Sequence, residues 1–154
     1  MFTQMENIML DTITNEMNYL PDNSNEETYG KNKKILVVDD DVDILLMLTI
    51  FLKEKGYEVE GTLNGIEASS RTERFKPDLI IMDIFLSGTN GKDICLSLKT
   101  AEKTKKIPII LISSDEQNQQ ELENAGANEF INKPFEIKYL LTRVRELLNT
   151  SAAA

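Results

Sequence analysis

Histidine is missing from all 154 residues of this sequence, and that absence removes several chemistries at once. The chain carries no phosphohistidine, no His-dependent catalytic triad and no histidine-ligated metal. A single cysteine, Cys95, excludes an internal disulfide and a multi-cysteine metal centre. Within GKDICLSLK it reads as a buried helix residue rather than a reactive thiol. Basic residues are in deficit: 17 Lys and Arg stand against 26 Asp and Glu, for a net charge of −9. That sign argues against nonspecific binding of nucleic acid or of an anionic membrane. No apolar run approaches membrane-spanning length and no secretory hydrophobic region follows Met1, so a soluble cytoplasmic protein is expected. Any cation the chain binds must be held by oxygen, which favours magnesium-like ions over zinc.

What is present divides the chain in three. Residues 1–32 read as an extension in which six acids (Glu6, Asp11, Glu16, Asp22, Glu26, Glu27) face only Lys31, so more than half of the net charge sits there. Met5, Ile8, Met9, Ile13, Met17 and Leu20 fall at helical spacing, giving either a marginal amphipathic helix or a disordered tail. PDNSNEETYGKNKK then has the composition of a flexible linker. Residues 33–149 alternate strands and helices. KILVV, DLIIM and PIILI are continuously aliphatic, as parallel strands covered on both faces must be, whereas YEVEG alternates and suits an edge. EFINK is a fifth strand. Helices are predicted over 42–55, 64–75, 90–103, 115–125 and 135–149, with Gly56, Pro77 and Gly126 marking helix ends. Residues 150–154 form a short tail of the kind cloning can leave. Five strand–helix units imply an α/β, doubly wound, flavodoxin-like parallel sheet, and the edge character of the second strand selects the order 2-1-3-4-5. Ligands of such sheets bind beyond the carboxyl ends of the strands, where the first and third lie side by side.

The chemistry gathers at those ends. In KKILVVDDDVDILL the first strand runs into Asp39, Asp40 and Asp41, with Asp43 two positions on; the third strand, LIIMDIF, delivers Asp83. Asp41 and Asp43 fit the N-terminal turn of the next helix. Asp39, Asp40 and Asp83 converge, and unpaired carboxylates in one place raise each other's pKa. A hard divalent cation relieves that repulsion. Ser113 and Ser114 close the fourth strand and Lys133 follows the fifth, adding a hydroxyl and an ammonium to the same rim. Carboxylates, a metal, a hydroxyl and a lysine together make a site for a phosphoryl group carried on an aspartate.

ILVVDDDVDI, PDLIIMDIFLSGTNG, PIILISS and GANEFINKPF, in this order and spacing, resemble the signatures of two-component response-regulator receiver domains of the chemotaxis-regulator type. Regulators of this kind are themselves a standard example of the strand order above. The resemblance implies that Asp83 is the phosphoacceptor and that Mg²⁺ (or Mn²⁺) is bound by Asp40 directly, Asp39 through water, Asp83 and the backbone carbonyl of Phe85. Ser113 would bond a phosphoryl oxygen, Lys133 would pair with its charge across a cis Lys133–Pro134 bond, and Phe130 would be the aromatic switch. Three departures stand out: Ser87 replaces a common proline, which should loosen the loop after Asp83; Phe130 lacks the hydroxyl of the usual tyrosine; and Ser114 stands where a small residue, often alanine, is usual, which should still admit phosphate. The implied function is phosphoacceptance from a histidine kinase or histidine phosphotransfer protein, acting in trans, with a switched surface for an unknown downstream protein and no direct nucleic-acid or membrane contact. The protein would then be no enzyme beyond assisting its own phosphorylation and dephosphorylation. A homodimer through the fourth and fifth helices is a further expectation, since Glu129 and Arg143 stand where such salt bridges form in the DNA-binding subfamily. Two alternatives remain: a receiver cut from a longer transcriptional regulator, and a Mg²⁺-dependent phosphatase with an aspartate nucleophile. Against the phosphatase, Phe85 stands where its second aspartate belongs.

Overall fold

A computed structural model describes residues 30–114 and 119–152 of the chain. The amphipathic stripe of residues 5–20 and the first four residues of the predicted fourth helix, 115–118, lie outside the described residues.

Strand β1 (Lys34–Val38) leads through Asp41 into helix α1 (Val42–Glu54), followed by β2 (Glu58–Thr62), α2 (Ala68–Phe75) and β3 (Leu79–Asp83). A small hairpin of β4 (Phe85–Leu86) and β5 (Thr89–Asn90) precedes α3 (Gly91–Thr100). Then come β6 (Ile109–Ser113), α4 (Gln119–Ala125), β7 (Glu129–Asn132) and α5 (Ile137–Ala152). The main sheet is parallel, in the order β2-β1-β3-β6-β7. Once the hairpin is set apart, this is the predicted order.

The alternation of side chains along a strand builds two cores. Ile35, Val37, Leu79, Ile81, Ile110 and Ile112 face α1 and α5, where Leu48, Phe51, Leu52, Leu140, Val144 and Leu148 complete one cluster. Leu36, Val38, Ile80, Met82, Ile109 and Leu111 face the opposite way, against Phe75 of α2, Cys95 and Leu98 of α3, and Leu122 of α4. Every residue of β3 and β6 is buried, as a central parallel strand requires. Cys95 is fully buried and burial pushes its thiol up to about 11, so it packs as an apolar residue. Among the described residues no helix is long and apolar enough to cross a membrane.

Several helix ends differ from the expected spans. The segment from residue 64 begins as a 3₁₀ turn, Gly65–Glu67, capped by the Asn64 side chain, which accepts the Ile66 amide, and the α-helix starts only at Ala68. Helix α3 ends at Thr100: the backbone at Ala101 is extended, and Thr104 Oγ1 and Lys99 Nζ bond the carbonyls of Leu98 and Ile107. Helix α5 starts at Ile137, beyond Pro134, and continues to Ala152, taking in three residues that had been assigned to the tail. The β4–β5 hairpin was not foreseen.

Candidate functional site

Parallel pairing sets the ends of β1, β3 and β6 side by side. Val38 pairs with Met82 and Asp83 with Ile112, so Asp39, Asp83 and Ser113 emerge at one edge of the sheet. Asp39, Asp83 and Ser113 are all buried. Asp40, two residues past the strand, is exposed. Asp41 caps α1, its carboxylate accepting the amides of Asp43 and Ile44 at 2.9 and 3.3 Å. It is thereby committed to the helix, as its sequence position suggested.

Three carboxylates remain: one oxygen each from Asp39, Asp40 and Asp83 lie within 4.8 Å of one another. In this arrangement the protein itself balances them. Lys133 Nζ donates to Asp83 Oδ2 at 2.6 Å and to Asp39 Oδ2 at 3.1 Å, joining segments 50 and 94 residues distant in sequence. Backbone amides take the other oxygens: Phe85 N–H bonds Asp83 Oδ1 and Asp41 N–H bonds Asp39 Oδ1, both at 2.9 Å. Burial raises the Asp39 pKa above 3.8, opposed by the Asp41 amide and by Lys133 and reinforced by the charge of Asp83. For Lys133, burial favours the neutral amine, but the bonds to Asp83 and Asp39 outweigh it and the pKa is raised. The ammonium is held charged.

Lys133 is aimed from the backbone outward. Its amide donates to the Ser113 carbonyl at 2.7 Å, tying the exit of β7 to the end of β6, and the Lys133–Pro134 bond is cis. Phe130, on β7, is half-buried and packs against the cluster under α2, α3 and α4, next to an open groove lined by Asn132, Pro134, Phe135 and Tyr139. Phe85 stands two residues after Asp83 and its side chain is half-exposed. Glu129 and Arg143 are bonded to each other within one chain, Nε and Nη2 both donating to Glu129 Oε2.

Two functional contacts were not read from the sequence. Ser87 donates to Asp40 Oδ2 through both its amide (2.9 Å) and its hydroxyl (2.7 Å). The expected loosening of this loop is therefore corrected, since a proline there would offer neither donor. Gly91, at the start of α3, lies so close beneath the end of β3 that a Cβ would sit 2.1 Å from the Asp83 carbonyl oxygen. A glycine opening a helix directly after a turn was the available signal for that close approach.

The donor set tests the expected cation. Among the described residues the cluster that could hold an ion is three carboxylates, two buried and one exposed, and such an oxygen donor set suits a hard ion such as Mg²⁺. The residues fit.

Comparison with known proteins agrees with this geometry. Residues 35–145 match the response regulator receiver domain family. The chain is 33% identical over 117 residues to the DNA-binding dual master transcriptional regulator RpaA of Synechocystis, covering 75% of this chain and 48% of that protein. It is 35% identical over 125 residues to the alkaline phosphatase synthesis transcriptional regulatory protein PhoP of Bacillus subtilis, covering 80% and 51%. The chain thus spans about half the length of the curated relatives it matches. Among solved structures, a CheY-like receiver domain protein of Methanospirillum hungatei superposes with a TM-score of 0.74 at 28% identity, covering 79% of this chain and 97% of that one. The Thermotoga maritima response regulator TrrA, solved in complex with Mg²⁺-BeF, gives 0.68 at 33% identity, covering 75% and 98%. With the sheet order, the acidic cluster and the bridging lysine already in place, the match over residues 35–145 settles the family: this chain belongs to the receiver domains of two-component response regulators.

Proposed function

We propose that Asp83 accepts a phosphoryl group from a histidine kinase or histidine phosphotransfer protein. One observation carries the reading: Lys133 bridges Asp83 and Asp39 while an Asp40 oxygen lies within the same cluster. Asp39, Asp40, Asp83 and the carbonyl of Phe85 would hold Mg²⁺, which when bound supplies positive charge to the phosphoryl oxygens. A carboxylate oxygen of Asp83 attacks phosphorus. The P–N bond to the donor imidazole breaks, its electron pair stays on nitrogen, and a P–O bond to Asp83 forms as an acyl phosphate. Lys133 passes from the Asp83 carboxylate to the new phosphoryl oxygens, the Ser113 hydroxyl bonds another, and Phe130 follows Ser113 inward. The surface of α4, β7 and α5 is thereby re-presented to a partner. The donor histidine lies outside these 154 residues, which contain none.

Incubating the protein with acetyl phosphate and Mg²⁺ should add one phosphoryl mass, and Asp83→Asn should abolish it. Undiminished labelling of that variant overturns the assignment. The printed functions of RpaA and PhoP favour one reading of the output, in which the chain acts as the receiver of a transcriptional regulator. The bond between Glu129 and Arg143 within one chain bears on assembly: a homodimer through α4 and α5 would have to exchange this pair between copies.

A further inference from the structure

Of the three clustered carboxylates, two are balanced by Lys133 and the third is not. Asp40 is held instead by Ser87, which places two donors on a single oxygen, Oδ2. Asp40 is exposed, at the start of a turn, and its side chain would otherwise sample several rotamers. Two donors converging on one carboxylate oxygen fix both its torsion and its plane, and they reach across 47 residues of sequence. Hydrogen bonds from surrounding groups to metal-ligating carboxylates orient those ligands. Ser87 also sits in the hairpin that leaves Asp83, so the same bond ties the loop after the phosphoacceptor to the cation site.

We propose that Ser87 is a positioning residue for the cation: it pre-orients Asp40 and thereby sets the affinity of the site for a divalent ion. The assignment rests on the phosphoacceptor reading above, because it takes Asp40 as a ligand. It makes the affinity depend on a loop residue that would not itself touch the ion.

The hairpin allows a clean test. Ser87 has a negative φ and Gly88 a φ of +76°, the pattern of a turn that accepts proline at the position of Ser87. Ser87→Pro therefore removes both donors while keeping the turn, Ser87→Ala removes only the hydroxyl, and Ser87→Thr retains both. Mn²⁺ binding is read from the paramagnetic resonance signal of the free ion, with Mg²⁺ as competitor. The expected result is affinity weaker by about ten-fold in Ser87→Pro, a smaller loss in Ser87→Ala, and near wild-type binding in Ser87→Thr. Circular dichroism identifies any variant that fails to fold, and Ser87→Ala with Ser87→Thr then decides alone. Unchanged or tighter binding in the folded Ala and Pro variants overturns the role of Ser87, provided the wild type binds Mn²⁺ and is labelled on Asp83. If the wild type neither binds the ion nor takes phosphate, the phosphoacceptor reading falls and the Ser87 assignment falls with it.

Discussion

Deleting the Lys133 side chain beyond Cβ leaves Asp39 and Asp83 facing each other, largely buried, with no ammonium between them. Lys133→Ala should therefore destabilise the protein in EDTA by about 1–3 kcal/mol, discounted for the partial exposure of the lysine. Part of that loss should return on adding Mg²⁺, because a cation restores the missing charge; urea denaturation with and without the ion measures both. Asp39 behaves differently. Its folded pKa is raised above 3.8, chiefly by burial, so folding favours the protonated form. That favourable contribution is present below the unfolded pKa and lost as pH rises through the folded one. In EDTA, Asp39→Asn should melt above the wild type at pH 7, and the gap should close below about pH 4. A melting series across that range checks the sign. The acidic residues and Lys133 were legible because their positions at strand ends follow from the hydrophobic runs before them. The role of Ser87 was not, because its two bonds depend on a hairpin geometry that no periodicity encodes.

Strands carried the strongest sequence signal. Past Lys34 and Asp78, KILVV and DLIIM are, like PIILI, wholly apolar, and burial on both faces is the arrangement that removes such runs from water. Helix ends were less legible, since they turn on single local bonds such as Asn64 to the Ile66 amide or Thr104 to the Leu98 carbonyl. The β4–β5 hairpin is too short for any alternation to show, and only the Ser87–Gly88 pair hinted at a turn. The helix that follows it, α3, begins where backbone passes directly under Asp83. Gly91→Ala would press a methyl against the Asp83 carbonyl and Ile84 Cα, atoms that move only with the backbone. A loss of about 1–3 kcal/mol is expected, together with weaker phosphoryl labelling of Asp83, measured by denaturation and by mass.

For the molecule as a whole, a bound divalent ion is a stabiliser by mass action. At 100 times its Kd, Mg²⁺ should add about 2.7 kcal/mol to the unfolding free energy. Asp40→Asn should lose most of this gain, and sodium chloride at matched ionic strength should not supply it; thermal melts separate the two. Asp39 and the ammonium that balances it come from the two ends of the fold. Asp39 and Asp40 follow the first strand, and Lys133 follows the last, an edge strand that pairs only with β6. A chain still emerging from the ribosome therefore exposes its carboxylates before their counter-charge has been made. A molecule clipped before β7 would keep Asp39 and Asp83 but lack the ammonium that bridges them.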